Sequence, residues 1–191
     1  MDNMDNNISY KVALGGVISS LCLLAMFFTG LAPFLYLTLP MIAGALITII
    51  VMEVNTSWAF MTYLAVSLLS IFVTFDKEAA LIFILFFGHY PILKQRIELL
   101  RVKFLQFLIK LIVFNICIIL DYQLTIHMLG ISDFMDDFAS LGKYGIYLLW
   151  AGANLFFIAY DYALSGCVQM YIKELKPKIF GKNVNKRKNK N

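Results

Sequence analysis

The chain has 191 residues, 61% of them apolar and only 15% charged, with a net charge of +4. A soluble domain is nearer half apolar and a quarter charged, so this balance, with a mean hydropathy of +0.78, excludes an ordinary soluble domain. The three cysteines, Cys22, Cys117 and Cys167, sit in or beside apolar runs at no metal-ligand spacing, which reads as small apolar fillers and not as a disulfide framework.

The first residues, MDNMDNNISYK, carry two Asp and one Lys. They lack the basic n-region, short apolar stretch and small-residue cleavage site of a signal peptide. The first apolar run is therefore expected to be a retained span. A helix needs about 20 apolar residues to cross a bilayer, within a range of about 17–25. On that measure the spans are expected at about 12–30, 34–52, 58–75, 79–93, 104–120 and 144–166. Pro40 is a candidate first helical residue of the second span, with Thr38 near its cap. The fourth span is short and is expected to end at Pro91. The sixth can run on to Lys176, where Pro177 breaks it. The fold class is thus an all-α, polytopic membrane bundle of about six transmembrane helices over 1–180, followed by a basic, disordered tail at 181–191.

Six spans place both ends on one side. Fourteen of the 16 cations then fall on that side: Lys11, the 94–103 loop, Lys110 and the tail from Lys173 to Lys190. Only Lys77 and Lys143 fall on the other, with Asp76, Glu78, Asp133, Asp136 and Asp137. The positive-inside rule then makes both termini cytoplasmic. The stretch KQRIELLRVKFLQFLIK, 94–110, places Ile97, Leu100, Phe104 and Leu108 on one helical stripe, with Arg96, Arg101 and Lys103 off it. It is expected to lie along the inner membrane face, with Arg96 and Arg101 facing a partner. The lysine-rich tail suits anionic headgroups. Without interleaved aromatics it does not suit nucleic acid.

Ionisable residues inside spans are costly and mark packing or function. Counted from the inner ends of the last two spans, Asn115 lies eleven residues deep and Asp161 also eleven, whereas Asp121 lies seventeen and Asn154 eighteen. Two polar rungs follow. Asn115 and Asp161 form a structural level that packs the helices, with Lys110 a little over a turn further in. Asp121 and Asn154, with Tyr147, Trp150, Tyr122 and His127 near the outer mouth, form a candidate small-solute site. His89, in FFGHYP, reads as an interfacial or helix-bonding histidine. No H-E-x-x-H, G-x-S-x-G or phosphate-binding loop is present. The expectation is a protein that is not an enzyme and carries no metal or cofactor.

With a small-residue first span, ALGGVISSL, in which Gly15 with Ser19 and Gly16 with Ser20 have small-xxx-small spacing, the chain resembles the substrate-binding S components of energy-coupling-factor transporters. The likeness covers most of the chain in length, span number and sidedness. Its first span departs from the family's A-x-x-x-A-like pattern. The resemblance implies uptake of a small solute bound from outside, and Asp121, a carboxylate with no cation near it in the spans, makes a neutral or cationic solute the expectation. The resemblance also implies a transmembrane coupling subunit facing Gly15, Gly16, Ser19 and Ser20, and partner ATPases. It casts TGLAPFLYLTLP, 29–40, as a lid. The rival reading is an integral membrane scaffold or assembly protein that works through 94–110 and the tail. A self-contained gradient-driven carrier is disfavoured, since no internal repeat is evident.

Overall fold

The computed structural model describes residues 8–31, 35–129 and 144–176. Every regular element among them is helical. Helix α1, Ile8–Phe28, buries Ile18, Cys22 and Met26, which recur every four residues on one face. It ends where the Thr29 hydroxyl donates to the Met26 carbonyl at 2.7 Å. Helix α2, Thr38–Glu53, holds Pro40 in its first turn and buries Ala43, Gly44, Ile47, Ile50 and Val51. Helix α3, Thr56–Val73, is capped by Asn55, whose side chain accepts from the Trp58 N–H at 2.9 Å.

The next segment does not end at Pro91 as its sequence suggests. Helix α4, Lys77–Ile82, starts at Asp76, whose carboxylate accepts from the N–H groups of Glu78 and Ala79. The chain then widens into a π-helical turn, Phe83–Phe87, and continues as α5, Tyr90–Ile97, with Pro91 in its first turn. Proline is tolerated there because a first-turn N–H has no partner within its own helix. Pro91 has no N–H to return to the Phe87 carbonyl. That carbonyl instead lies against α2 at Gly44, where an added Cβ would stand 2.2 Å from the oxygen. Only glycine lets the two backbones approach this closely.

Helix α6, Lys103–Leu124, continues through a π turn to Leu129, and α7, Gly145–Met170, through another to Leu175. Residues 94–110 are therefore not one amphipathic helix. They form an elbow between α5 and α6. The Gln106 amide donates to the carbonyls of Glu98 and Leu100, at 3.1 and 2.7 Å, and closes the turn.

Side-chain pairs set the helix directions. Gly15 faces Thr62, and Phe27 packs on Phe75, so α1 and α3 run parallel. Arg96 reaches Thr56 and Tyr63 reaches Ile84, so α3 opposes α4–α5. Lys110 meets Asp161 and Asn115 meets Asn154, so α6 opposes α7. Helix α2 and the α4–α5 segment occupy the centre. An aromatic cluster of Phe86, Phe87, Tyr90, Phe114, Phe157 and Tyr160 joins them to α6 and α7. The Phe114 and Phe157 rings stack at 4.5 Å and 13°, a contact worth about 0.5–1.5 kcal/mol beyond the area it buries.

The outer faces of α1, α3, α6 and α7 expose large apolar residues such as Phe72, Phe104 and Leu155. Four helices, Ile8–Phe28, Thr56–Val73, Lys103–His127 and Tyr147–Glu174, are long and apolar enough to cross a membrane. Helix α2 has 16 residues, and the α4–α5 segment is divided by its π turn. Being central, they bury small and aromatic residues in place of a long lipid-facing stripe.

Candidate functional site

The largest departure from sequence expectation is a buried ionic network at the end of the bundle that carries the α5–α6 elbow. Tyr90 and Lys94 of α5 and Glu98, which caps its end, recur every four residues, so they share a face. Lys94 is 4% exposed and Lys110 6%. The Lys94 ammonium donates to the Asp161 carboxylate, and at 2.7 Å both to the Asp161 carbonyl and to the Ser165 hydroxyl. Lys110 donates to Glu98 at 2.8 Å and to Asp161 at 3.1 Å. The Tyr90 hydroxyl donates to Asp161 at 2.6 Å.

Two ammonium groups thus face two carboxylates, and the cluster is formally neutral. Burying the two ammonium groups is costly. The arrangement is tolerable because each ammonium has two carboxylate neighbours and Asp161 accepts from three side chains. Asp161 is therefore held by lysines and not by Asn115.

Asn115 pairs instead with Asn154, amide to amide at 3.0 Å, and each also donates to its own helix, at Leu111 and Trp150. The expected Asn115–Asp161 and Asp121–Asn154 rungs are thus out of register by about six residues, or roughly 9 Å along the axis. The physical reason is charge. Sliding α7 until Asp161 meets two lysines neutralises them, whereas the expected register leaves both lysines without Asp161. The continuation of α7 to Leu175 makes room for the slide, and there Lys176 meets Glu53 at 3.0 Å.

Of the residues expected to line an outer solute site, Asn154 is occupied by Asn115. Tyr147 is 71% exposed, and Trp150 is also exposed on α7. Asp121 lies on α6 beyond the asparagine pair. Its Oδ1 is enclosed and has no hydrogen-bond partner among the described residues. Acidic groups converge on this end of the bundle. Tyr36, in the turn before α2, stands within electrostatic reach of Glu78, Asp76 and Asp121. His127 bonds the Gln123 carbonyl of its own helix, at 2.9 Å. His89 is half-buried between α3 and α6. It packs against Tyr63, and its Nε2 lies 3.9 Å from the Cys117 sulfur. Residues 130–143, which carry Asp133, Asp136, Asp137 and Lys143, lie outside the described residues, as do the tail and part of the expected lid.

Among the small residues of α1, Gly15 is turned towards Thr62, whereas Gly16 has nothing near its Cβ position. Ser20 is exposed on that face, and its hydroxyl returns to the Gly16 carbonyl at 2.8 Å. Arg96 and Arg101 lie exposed at the elbow, Arg96 bonded to Thr56 at 3.2 Å. Comparison with known protein families, curated proteins and solved structures finds no match.

Sequence reasoning missed Lys94 by counting it with the loop cations. The available signal was the Tyr90, Lys94, Glu98 spacing, together with carboxylates on neighbouring apolar helices that needed counterions.

Proposed function

We propose that this chain is a substrate-binding subunit for uptake of a small solute across the cell membrane. It crosses the bilayer six times with both termini cytoplasmic and works with a coupling subunit and ATPases, in the manner of energy-coupling-factor S components. The observation that carries this reading is the half-buried Asp121 carboxylate on α6, whose Oδ1 is enclosed and unpartnered among the described residues. A carboxylate in such a place stands ready for a cation or a hydrogen-bond donor. Supporting it is a polar file along α6: Lys110 in the ionic network, Asn115 in the amide pair, and Asp121 at the acidic end. The alternating helix directions, with Arg96, Arg101, Lys103 and Lys173 at the end opposite Asp76 and Glu78, agree with the sidedness. The open Gly16–Ser20 face of α1 is suited to close approach by another membrane helix.

The test is mass spectrometry of small molecules retained by the purified protein, followed by binding of the retained solute to wild type and Asp121→Asn. A neutral or cationic solute bound at least tenfold more weakly by the variant, at equal melting temperature, supports the reading; tenfold corresponds to about 1.4 kcal/mol. Equal affinity removes Asp121 from the site. Absence of any retained solute favours the scaffold reading.

A further inference from the structure

The elbow between α5 and α6 carries charge that the fold leaves uncompensated. Residues 94–110 hold five cations, Lys94, Arg96, Arg101, Lys103 and Lys110, and a single carboxylate, Glu98. Glu98 is taken by Lys110 and Lys94, and Asp161 serves the same two lysines. Arg96, Arg101 and Lys103 therefore have no ion-pair partner among the described residues. All three are exposed.

These cations surround apolar surface. Leu99 is 81% exposed, and Val102 and Phe104 are exposed beside it. Between the elbow and the start of α3 lies a cleft of about 450 Å³, lined by Thr56, Gln95, Arg96 and Leu99. The Arg96 guanidinium is held at its rim by a bond to the Thr56 hydroxyl, and its other N–H groups have no partner among the described residues. A guanidinium fork and an amide over a cleft that Leu99 lines, with Phe104 exposed on the first turn of α6, match a phosphodiester above an acyl chain. A soluble anion has no use for Leu99 and Phe104, and an uncharged lipid has none for three free cations.

We infer that the α5–α6 elbow binds the headgroup of an anionic phospholipid, with Arg96 as the phosphate-gripping residue, Arg101 and Lys103 as flanking charges, and Leu99, Val102 and Phe104 set among the acyl chains. This holds whether or not the protein carries a solute. The basic tail supplies diffuse attraction. The elbow supplies a cleft with a guanidinium at its rim.

The experiment titrates the full-length protein, purified in a neutral detergent, with phosphatidylglycerol or phosphatidylcholine and counts bound lipid by native mass spectrometry. Glycerol 3-phosphate serves as the soluble competitor. Phosphatidylglycerol is expected to bind at least tenfold more tightly than phosphatidylcholine. Arg96→Gln is expected to weaken it about fivefold, the worth of one interfacial cation. The triple change Arg96→Gln, Arg101→Gln, Lys103→Gln is expected to abolish the preference, and Lys173→Gln, an exposed cation on α7, to leave it intact. Should the triple variant not fold, the ratio of Arg96→Gln to Lys173→Gln decides. Equal binding of the two lipids, or equal losses in the elbow and control variants, overturns the inference. So does full competition by glycerol 3-phosphate, which makes the site one for free phosphate. A lipid-free dimer broken by Arg96→Gln makes the elbow a contact between copies, and likewise overturns it.

Discussion

Replacing Asp161 separates two accounts of the helix interior. If Asp161 merely faced Asn115, Asp161→Asn would be harmless, since an amide bonds an amide. In the observed network Asp161 neutralises Lys94 and Lys110 and accepts from Tyr90. Asp161→Leu leaves two lysines, 4% and 6% exposed, sharing Glu98 alone. Breaking a buried ion pair from one side costs about 3–5 kcal/mol. The Asp161 side chain is 25% exposed, so water screens part of the loss and the low end, about 3 kcal/mol, is expected. That is roughly two powers of ten in the folded-to-unfolded ratio. Asp161→Asn keeps an acceptor for Tyr90 but not the charge, and should cost about two-thirds as much.

The assay is thermal unfolding of detergent-purified protein, followed by tryptophan fluorescence. A double-mutant cycle sharpens it. Adding Lys110→Met to Asp161→Leu leaves one lysine with one glutamate and restores neutrality, so the double variant should be more stable than Asp161→Leu alone. An Asp161→Asn protein that melts with wild type, or a cycle in which the two losses simply add, would refute the network as the source of stability.

Gly44→Ala should destabilise by about 1–3 kcal/mol, because its Cβ would meet the Phe87 carbonyl at 2.2 Å, and backbone cannot swing aside; unchanged melting would contradict the close contact. Asn115→Ala should cost about 0.6 kcal/mol, a typical interhelical hydrogen bond in a membrane, and Asn154→Ala should add little on top of it; independent losses would show that the two amides are not partners. In a cysteine-free background, Met135→Cys should label from outside intact cells and Asn185→Cys only after permeabilisation, and the reverse pattern would invert the sidedness.

Much of the bundle was legible in the sequence because its controlling variables are local. Apolar run length locates the helices, and the four that can span a membrane overlap runs expected from composition, though the last two extend further at their C-terminal ends. The caps Asn55 and Asp76 start α3 and α4 two residues before the expected runs at 58 and 79. The uneven distribution of lysine and arginine motivates an orientation. Pro91 misled, because proline breaks a helix interior but opens a helix equally well. Which of the two it does here depends on the π turn before it and on Gly44 across from it.

The axial register of α6 against α7 was not local at all. Counting residues from apparent membrane boundaries assumes that each helix ends where its apolar run ends, and α7 continues to Leu175. What fixes the register is the requirement that Lys94 and Lys110, once buried, share a carboxylate. That requirement joins residues 51 and 67 positions away in the chain. Hydrophobicity selects which segments enter the bundle, because transfer free energy sums along a segment. Only the packed tertiary structure decides which charges meet inside it, because a charge's cost depends on the groups within a few ångströms and not on its neighbours in sequence.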